Sequence, residues 1–503
     1  MGDVPSPIAE LEEAIEIQER PRAPSRAKTI LLNFASLSAG AAVCRLAGLG
    51  TTAVLARTIS ASGFGVAGIA QSITMYFSLL SDMGLATVAV REGAQSRSKL
   101  QQVISSTMGL RLALAMALIP IGLVTAHFLP YSENSKDLFR IYLLTLPIQA
   151  LSVEWVFRSL QKMYLNTAVQ IIVAALILVL TIALVHQARD LMWVAGIAAI
   201  TAAIGSFLGL WLLQRLGYHS WPVFSLRESN YLLRQSLPIC AVSIASLLYV
   251  QTNNLILGVW RSEAEVGLYV AASRLSALFY YPIWYYFTAM IPALMEAWAV
   301  SLESARSLIS SSVRITAMVG IGTGLVASSL GEWAIRTVFG RSFDGAASAF
   351  NILIWTGVIV AIGHNWGELC IASRRNRLLM GATFLGVFVN FAVCAATISR
   401  MGIRGAALGN LMAEIVSHVF LIASFDRYMG VTVLRGALKP VLAGAGAYAI
   451  SFATRGSSPF IRAALTGGAF LLLLVLTGAL TKLDVNRLRA LLPMRRNVAE
   501  SLS

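Results

Sequence analysis

Residues 55–65 of this 503-residue chain read LARTISASGFG, a short polar turn between two apolar blocks at 29–56 and 63–90. Each block is long enough to cross about 30 Å of hydrocarbon, because an α-helix rises about 1.5 Å per residue. Neither block alternates polar and apolar residues as a barrel strand would, so helices are favoured. The turn therefore predicts two membrane-spanning helices joined by a tight connection.

The same pattern of apolar blocks and short polar turns continues to residue 481. The chain is 57% hydrophobic and only 13% charged, whereas soluble domains carry about 25% charged residues. These features predict an all-α polytopic membrane protein with about 14 transmembrane helices. Beyond the first two, the predicted spans are 102–129, 136–159, 164–186, 190–216, 231–259, 265–295, 307–330, 345–373, 377–399, 403–426, 434–454 and 459–481.

Two pairs of segments indicate an internal repeat. Residues 55–67 resemble residues 257–269 at an offset of 202, and Leu160-Gln161-Lys162 resembles Ser373-Arg374-Arg375. An even number of spans in each half predicts parallel repeats about an axis along the membrane normal, with a shared cavity between two pseudo-symmetric six-helix lobes. The expected units are an N-terminal tail (1–27), an N-lobe (28–217), a linker (218–230), a C-lobe (231–427), an extra helix pair (428–482) and a basic C-terminal tail (483–503).

The net charge of +15 is spread over the short loops. With the N-terminus inside, 24 lysines and arginines fall on the cytoplasmic side and 10 on the other. This bias predicts that both tails and the linker are cytoplasmic. The net positive charge is then explained by its role in orienting the helices in the membrane and by contact with anionic phospholipids. Nucleic acid is not an expected partner, because the cations form no single stripe.

Signatures of soluble enzymes are not found. The sequence has no phosphate-binding loop, dinucleotide fingerprint, zinc-protease motif or nucleophile elbow in a plausible context. The four cysteines lie inside apolar blocks without metal-binding spacing, at Cys44, Cys240, Cys370 and Cys394. We therefore expect a protein that is not an enzyme and has no catalytic residue, metal site or cofactor.

Several motifs carry a family resemblance over most of residues 28–430. They are the turn at 55–65, the segment Leu79-Leu80-Ser81-Asp82-Met83-Gly84-Leu85, and the stretches at 266–272 and 402–407. The chain resembles the polysaccharide-transport family of bacterial flippases, the Wzx-type O-antigen and exopolysaccharide exporters of the MOP superfamily, which also holds MATE efflux proteins. Family members have Leu-Gly where this chain has Ile59-Ser60.

The resemblance implies a function and a location. It implies two six-helix bundles around a central cavity and export of undecaprenyl-diphosphate-linked oligosaccharide by alternating access. It also implies the bacterial cytoplasmic (inner) membrane and, among partners, a polysaccharide polymerase or other export machinery. Because the motifs are structural turns, they say little about the sugar.

Ionisable residues inside spans are costly and usually face a cavity or a partner. Arg45 shares one face of the first span with small and polar residues, and Arg274 shares one face of span eight with Tyr281 and Tyr285. Guanidinium groups pair with phosphate through a planar fork, so the two arginines are candidates for binding a diphosphate, and the two tyrosines are candidates for lining the same cavity. The alternative is that each arginine pairs with a carbonyl group or an acid of a neighbouring helix. Further cavity candidates are Arg111 and Arg314, which could instead snorkel to the interface.

A second group of polar residues within spans could serve gating or coupling to H+ or Na+, because intramembrane carboxylates relay protons in transporters. For each of them, hydrogen bonding between helices is an equally good interpretation. Glu154 and Arg158 are spaced to form an ion pair within one helix. The full set of candidates is Asp82, Glu154, Arg158, His364, Glu368, Glu414 and His418.

The sequence leaves two alternative functions to compare with export of a lipid-linked glycan. A MATE-like multidrug efflux antiporter shares the expected fold, but five mid-span arginines disfavour a cationic substrate. A membrane glycosyltransferase or polymerase would need a large extramembrane loop that holds acidic residues. The longest predicted loop is about a dozen residues, which disfavours this class.

Overall fold

A computed structural model describes residues 26–95, 99–218 and 221–479, with side chains described from Gly40 onward. Throughout these residues the chain is helical, and they contain no β-strand. The expected all-α class is therefore confirmed. The predicted tails at 1–27 and 483–503 lie almost wholly outside the described residues.

The N-terminal half begins with a long kinked helix, and its later helices are shorter. A 3₁₀ turn, Ala188–Leu191, precedes α8. The helices are α1 (Arg26–Asp82), α2 (Leu85–Gln95), α3 (Leu100–Phe128), α4 (Glu133–Leu143), α5 (Thr145–Ala150), α6 (Glu154–Ser159), α7 (Met163–Leu184) and α8 (Met192–Arg215).

The C-terminal half contains longer helices and ends in a short pair. The 3₁₀ turns Arg341–Ala346 and Arg435–Ala437 precede α12 and α16. The helices are α9 (Leu226–Trp260), α10 (Glu263–Val300), α11 (Leu302–Phe339), α12 (Ala347–Ala372), α13 (Asn376–Met401), α14 (Ile403–Ala423), α15 (Val431–Leu434), α16 (Leu438–Ala453) and α17 (Pro459–Leu476).

Within the described residues, ten helical segments are long and apolar enough to cross a membrane. One of them, Gly40–Gln95, has 56 residues and would be roughly 84 Å long if straight, so it exceeds one crossing. Helix α10 is not among the ten, because tyrosine, tryptophan and proline between 280 and 292 lower its mean hydropathy. The chain is a multi-spanning membrane protein, and the count of 14 stays a prediction.

Two predicted spans are interrupted. The span predicted at 63–90 breaks where Met83 and Gly84 both adopt positive φ. The span predicted at 136–159 is divided among α4, α5 and α6. Pro147 lies in α5, where it has no N–H to donate and disfavours the helical conformation of the residue before it. Apolar length predicts a span but does not reveal such breaks.

Ser60 forms the kink in α1, between arms at 26–59 and 61–82. Its φ of 64° and ψ of 174° lie in a region that is essentially limited to glycine. This is the position where the resembling family has glycine and this chain has serine.

We expect Ser60→Gly to raise the free energy of unfolding by about 1 kcal/mol, because it relieves the backbone strain at this position. Reversible unfolding in mixed micelles measures this change. Ser62→Gly is the control: Ser62 lies within the helical arm, so glycine there should lower the free energy of unfolding.

The turn at residues 160–162 and the turn at residues 373–375 have the same backbone structure. Gln161 and Arg374 both have a φ of 57°. In the first turn, the N–H of Gln161 donates to Arg158 O and that of Lys162 to Phe157 O; in the second, Arg374 donates to Ile371 O and Arg375 to Cys370 O. Each of the two bonds in the first turn has an equivalent in the second turn, 213 residues later. The match supports the repeat, while the division into lobes stays a prediction.

The helix that follows Ser60 contacts α10 at two glycines. A Cβ added at Gly65 would lie 1.8 Å from Glu263 O, and one added at Gly267 would lie 1.9 Å from Ala61 O. The two contacts are equivalent to each other at the offset of 202, because Gly65 corresponds to Gly267 and Ala61 corresponds to Glu263. Such reciprocity is what a two-fold relation between the helices would produce.

We expect Gly65→Ala to destabilise the protein by about 2 kcal/mol, because the new methyl group would overlap backbone atoms of α10 that cannot rotate away. Unfolding of the purified variant in mixed micelles measures the change. Gly48→Ala is the matched control, since a Cβ there meets nothing within 4 Å. Equal stability of the two variants would contradict the close approach.

The extra helix pair, α16 and α17, packs against α11. Phe470 of α17 lies over Gly322, and Ile321 lies over Gly444 of α16. Arg462 also donates a hydrogen bond of 2.6 Å to Ser329 O. The pair is therefore attached to the C-terminal half through small residues that allow close helix contact.

Candidate functional site

Two cavities adjoin and share part of their lining. The first, which we call the arginine cavity, has a volume of about 450 Å³ and lies among α1, α7 and α10. Arg45, Gly48 and Thr52 line it from one face of α1, as the helical period of the sequence predicts. Its other polar lining residues are Cys44, Thr51, Gln71, Arg274 and Tyr281.

Arg45 lies against the aromatic residues of α10. Its guanidinium carbon is 3.0 Å from the ring centroid of Tyr281 and 5.7 Å from that of Tyr285. Stacking on a ring face leaves the edge of the guanidinium free to donate hydrogen bonds. The structure thus brings together three residues that the sequence placed on two separate helices.

Arg274 lies at the junction of the two cavities and lines both. It donates hydrogen bonds of 2.7 Å to Gln71 Oε1 and 3.4 Å to Thr52 Oγ1. Among the described residues, neither Arg274 nor Arg45 has a carboxylate within ion-pair distance. The arginine cavity therefore holds two uncompensated cations, which is an expensive arrangement inside a membrane unless an anion occupies it.

The second cavity, which we call the amide cavity, has a volume of about 680 Å³. Gln71, Arg274 and Ala277 line both cavities. Four hydroxyl side chains, those of Ser72, Ser273, Ser276 and Thr356, form part of the remaining polar wall. Asparagine and glutamine side chains, aromatic rings and one carboxyl group form the rest. The residues concerned are Gln251, Asn254, Asn410, Tyr249, Tyr269, Tyr280, Trp284 and Glu414.

The predicted coupling residues of α12 and α14 form two His–Glu pairs. His364 Nε2 is 3.2 Å from Glu368, and His418 Nδ1 is 3.3 Å from Glu414. The pairs belong to neighbouring helices, since His418 packs against Gly363. Of these four residues, only Glu414 lines the amide cavity. It is consequently the one member of the two pairs that a molecule in this cavity could contact.

Asp82 and Arg111 form an ion pair of 3.1 Å, with side chains 26% and 11% exposed. Arg111 also donates hydrogen bonds of 3.1 Å to Gln149 O and Ser152 O. Arg111 thereby connects the break between α1 and α2 with the break between α5 and α6. Arg111 lines neither of the two cavities, so its contacts are those of a structural residue.

Three other predicted residues lie away from the cavities. Glu154 and Arg158 are exposed on α6, and among the described residues no hydrogen bond or ion pair joins them. Arg314 is half-buried in α11 and lines neither cavity. The proposed roles of these residues in gating or binding stay predictions.

The two halves of the chain contact each other in two separate regions. In one region, Phe64 packs against Phe339 and Phe343, near the close approach of Gly65 and Gly267. In the other region, Arg91 donates to Gln235 over 3.0 Å, and Tyr231 donates to Glu92 over 3.3 Å.

Sequence reasoning missed several cavity residues on α9 and α14. Asn254 and Asn410 were not selected, although a polar amide in the middle of an apolar span is the signal that would have identified them. Tyr280 of α10 is a further lining residue that was not among the candidates from the sequence. Its hydroxyl donates to Leu353 O, and its ring fills the space beside Gly357.

The sequence profile of the family described as "Polysaccharide biosynthesis protein" matches residues 30–298. The chain belongs to this family. It is also 21% identical over 370 residues to a Shigella dysenteriae protein named "Putative O-antigen transporter", covering 73% of this chain and 92% of that protein. The resemblance stated from the sequence motifs is confirmed.

Solved structures show the same fold. The lipid II flippase MurJ in an inward closed conformation has a TM-score of 0.71 and 13% identity, covering 87% of this chain and 97% of that one. An inward-facing multidrug resistance MATE family transporter of the MOP superfamily has a TM-score of 0.61 and 15% identity, covering 76% and 95%. This chain therefore has the MOP flippase fold, and its relatives are named as transporters or flippases, in agreement with the expectation that it is not an enzyme.

Proposed function

We propose that the protein is a flippase that moves undecaprenyl-diphosphate-linked oligosaccharide, an O-antigen or exopolysaccharide repeat unit, from the cytoplasmic to the outer leaflet. The observation that carries this proposal is the pair of arginines in the arginine cavity. Arg45 and Arg274 have no carboxylate partner among the described residues, and a diphosphate supplies the missing charge with matching hydrogen-bond geometry.

The same observation argues against multidrug efflux. A cationic drug would bring a third positive charge beside Arg45 and Arg274 in a medium of low dielectric constant, where repulsion is strong. The likeness to MATE transporters is one of fold at 15% identity, so it does not identify a substrate. A drug-susceptibility screen of a deletion strain is expected to reveal no hypersensitivity.

In this proposal the protein lies in the bacterial cytoplasmic membrane with both termini inside. The cavities then open alternately to the two sides of the membrane as the contacts around Phe64 and around Arg91 break in turn.

Coupling to H+ or Na+ would act through Glu414, which lines the amide cavity. Imposing a proton or a sodium gradient on proteoliposomes would tell the two ions apart, and Glu414→Gln should reduce the response to the effective gradient.

Deletion of the gene tests the function. Surface polysaccharide should be lost, and lipid-linked repeat units should accumulate on the cytoplasmic side, because synthesis continues without transfer. Mass spectrometry of extracted lipid-linked glycans measures the accumulation, and the gene supplied in trans should reverse it. Normal surface polysaccharide in the deletion strain would contradict the proposal.

A further inference from the structure

We propose that the two cavities bind different parts of the substrate: the arginine cavity binds the diphosphate, and the amide cavity binds the first sugars of the glycan. We further infer that the amide cavity selects sugars without a carboxylate group. The inference rests on the proposed function and adds to it the location of the glycan and the chemical class of sugar that is accepted.

The positions of the cavities fit the covalent structure of such a substrate. In a lipid-linked glycan, the first sugar is bonded directly to the diphosphate. Arg274 lines both cavities, together with Gln71 and Ala277. A phosphate held by Arg274 therefore places the adjoining sugar at the mouth of the amide cavity, whose volume of about 680 Å³ is in the range of ligand pockets.

The lining of the amide cavity differs in chemistry from that of the arginine cavity. Apart from Arg274, its described lining residues include no cation. Amide groups and aromatic rings replace the cations, which suits the hydroxyl groups and the apolar faces of sugar rings. The residues are Gln251, Asn254, Asn410, Tyr249, Tyr280 and Trp284.

Two amide oxygens in this cavity have unused hydrogen-bonding capacity. Asn254 donates through Nδ2 to Ser72 Oγ over 3.0 Å and to Gln251 Oε1 over 3.2 Å, which leaves its Oδ1 without a donor. Asn410 Oδ1 also has no donor among the described residues. Buried acceptors are normally satisfied, so a ligand whose hydroxyl groups reach these two oxygens would supply the donors that they lack.

Glu414 gives the cavity its preference among sugars. It is the one carboxylic acid among the described lining residues, and its side chain is 17% exposed. A uronic acid would bring a second carboxylate beside it, and two carboxylates that share a site repel each other. A neutral sugar avoids this cost and can donate a hydroxyl hydrogen to the Glu414 oxygens.

The test compares three synthetic probes on the full-length protein in lipid nanodiscs. They are undecaprenyl diphosphate, undecaprenyl-diphosphate-linked glucose and undecaprenyl-diphosphate-linked glucuronic acid. We expect the glucose probe to bind about tenfold more tightly than the bare diphosphate, and the glucuronic acid probe to bind about tenfold more weakly than the glucose probe. Equal binding of the glucose probe and the bare diphosphate would overturn the glycan site.

Variants assign the effect to residues. Asn410→Leu should reduce the affinity for the glucose probe to that for the bare diphosphate and leave the diphosphate affinity unchanged. Asn376→Leu is the matched control, because Asn376 is exposed at the start of α13 and should change nothing. If Asn410→Leu and its control retain the same preference for glucose, the assignment of Asn410 is wrong.

A second variant keeps the inference testable if Asn410→Leu does not fold. Glu414→Gln should remove the discrimination between glucose and glucuronic acid while retaining binding of glucose. Unchanged discrimination would overturn the role of Glu414. Failure of all three probes to bind the wild-type protein would instead contradict the proposed function, so the two failures are distinguishable.

Discussion

Arg274→Ala is expected to abolish export of lipid-linked glycan. The guanidinium lies where the two cavities meet, and its hydrogen bonds to Gln71 and Thr52 hold it in place without neutralising it. Removing one partner of a buried charge pair costs about 3 kcal/mol, which is roughly a 100-fold loss of affinity for the diphosphate. Arg45→Ala should have a smaller effect, because the stacking aromatic rings of Tyr281 and Tyr285 remain.

Complementation of a deletion strain measures this effect as surface polysaccharide per cell at matched membrane abundance of each variant. Arg404→Ala is the matched control, since Arg404 is exposed at the start of α14 and lines neither cavity. Arg274→Lys keeps the charge but loses the planar fork, so it should restore export only in part. Full export by Arg274→Ala and Arg45→Ala together would remove the arginine cavity from the mechanism.

Arg111→Met is expected to lower the free energy of unfolding by about 3 kcal/mol, because it leaves Asp82 as a partly buried charge without its partner. It also deprives Gln149 O and Ser152 O of their donor at a point where the helix is already broken. Reversible unfolding in mixed micelles measures the loss. Asp82→Asn should destabilise less, since the amide oxygen can still accept a hydrogen bond from Arg111.

The ion pair of Arg336 and Asp344 provides the control for this experiment. It has a short distance of 2.6 Å, but its side chains are 59% and 44% exposed. Solvent screens such a pair, so Arg336→Met should leave the unfolding transition unchanged. If Arg111→Met and Arg336→Met shift the transition equally, Arg111 does not join the two helix breaks as described.

The sequence by itself determined the class of the protein and much of its helical layout. Apolar length and the cost of an unpaired backbone in lipid are local properties, so they identify spans without knowledge of the partners. The kink at Ser60 and the turns at Gln161 and Arg374 were also recognisable, because a sharp change of backbone direction needs particular residues within a few positions. The position of Arg45, Gly48 and Thr52 on one face follows from helical periodicity alone.

Only the tertiary structure decided which polar residues share a site. Arg274 and Arg111 look alike in the sequence, since each is a single cation within an apolar span. Arg111 is neutralised by Asp82 and by two carbonyl groups from a distant helix break, whereas Arg274 contacts only uncharged groups. Whether a buried charge is compensated depends on groups that lie tens of residues away in sequence, and packing alone brings those groups together.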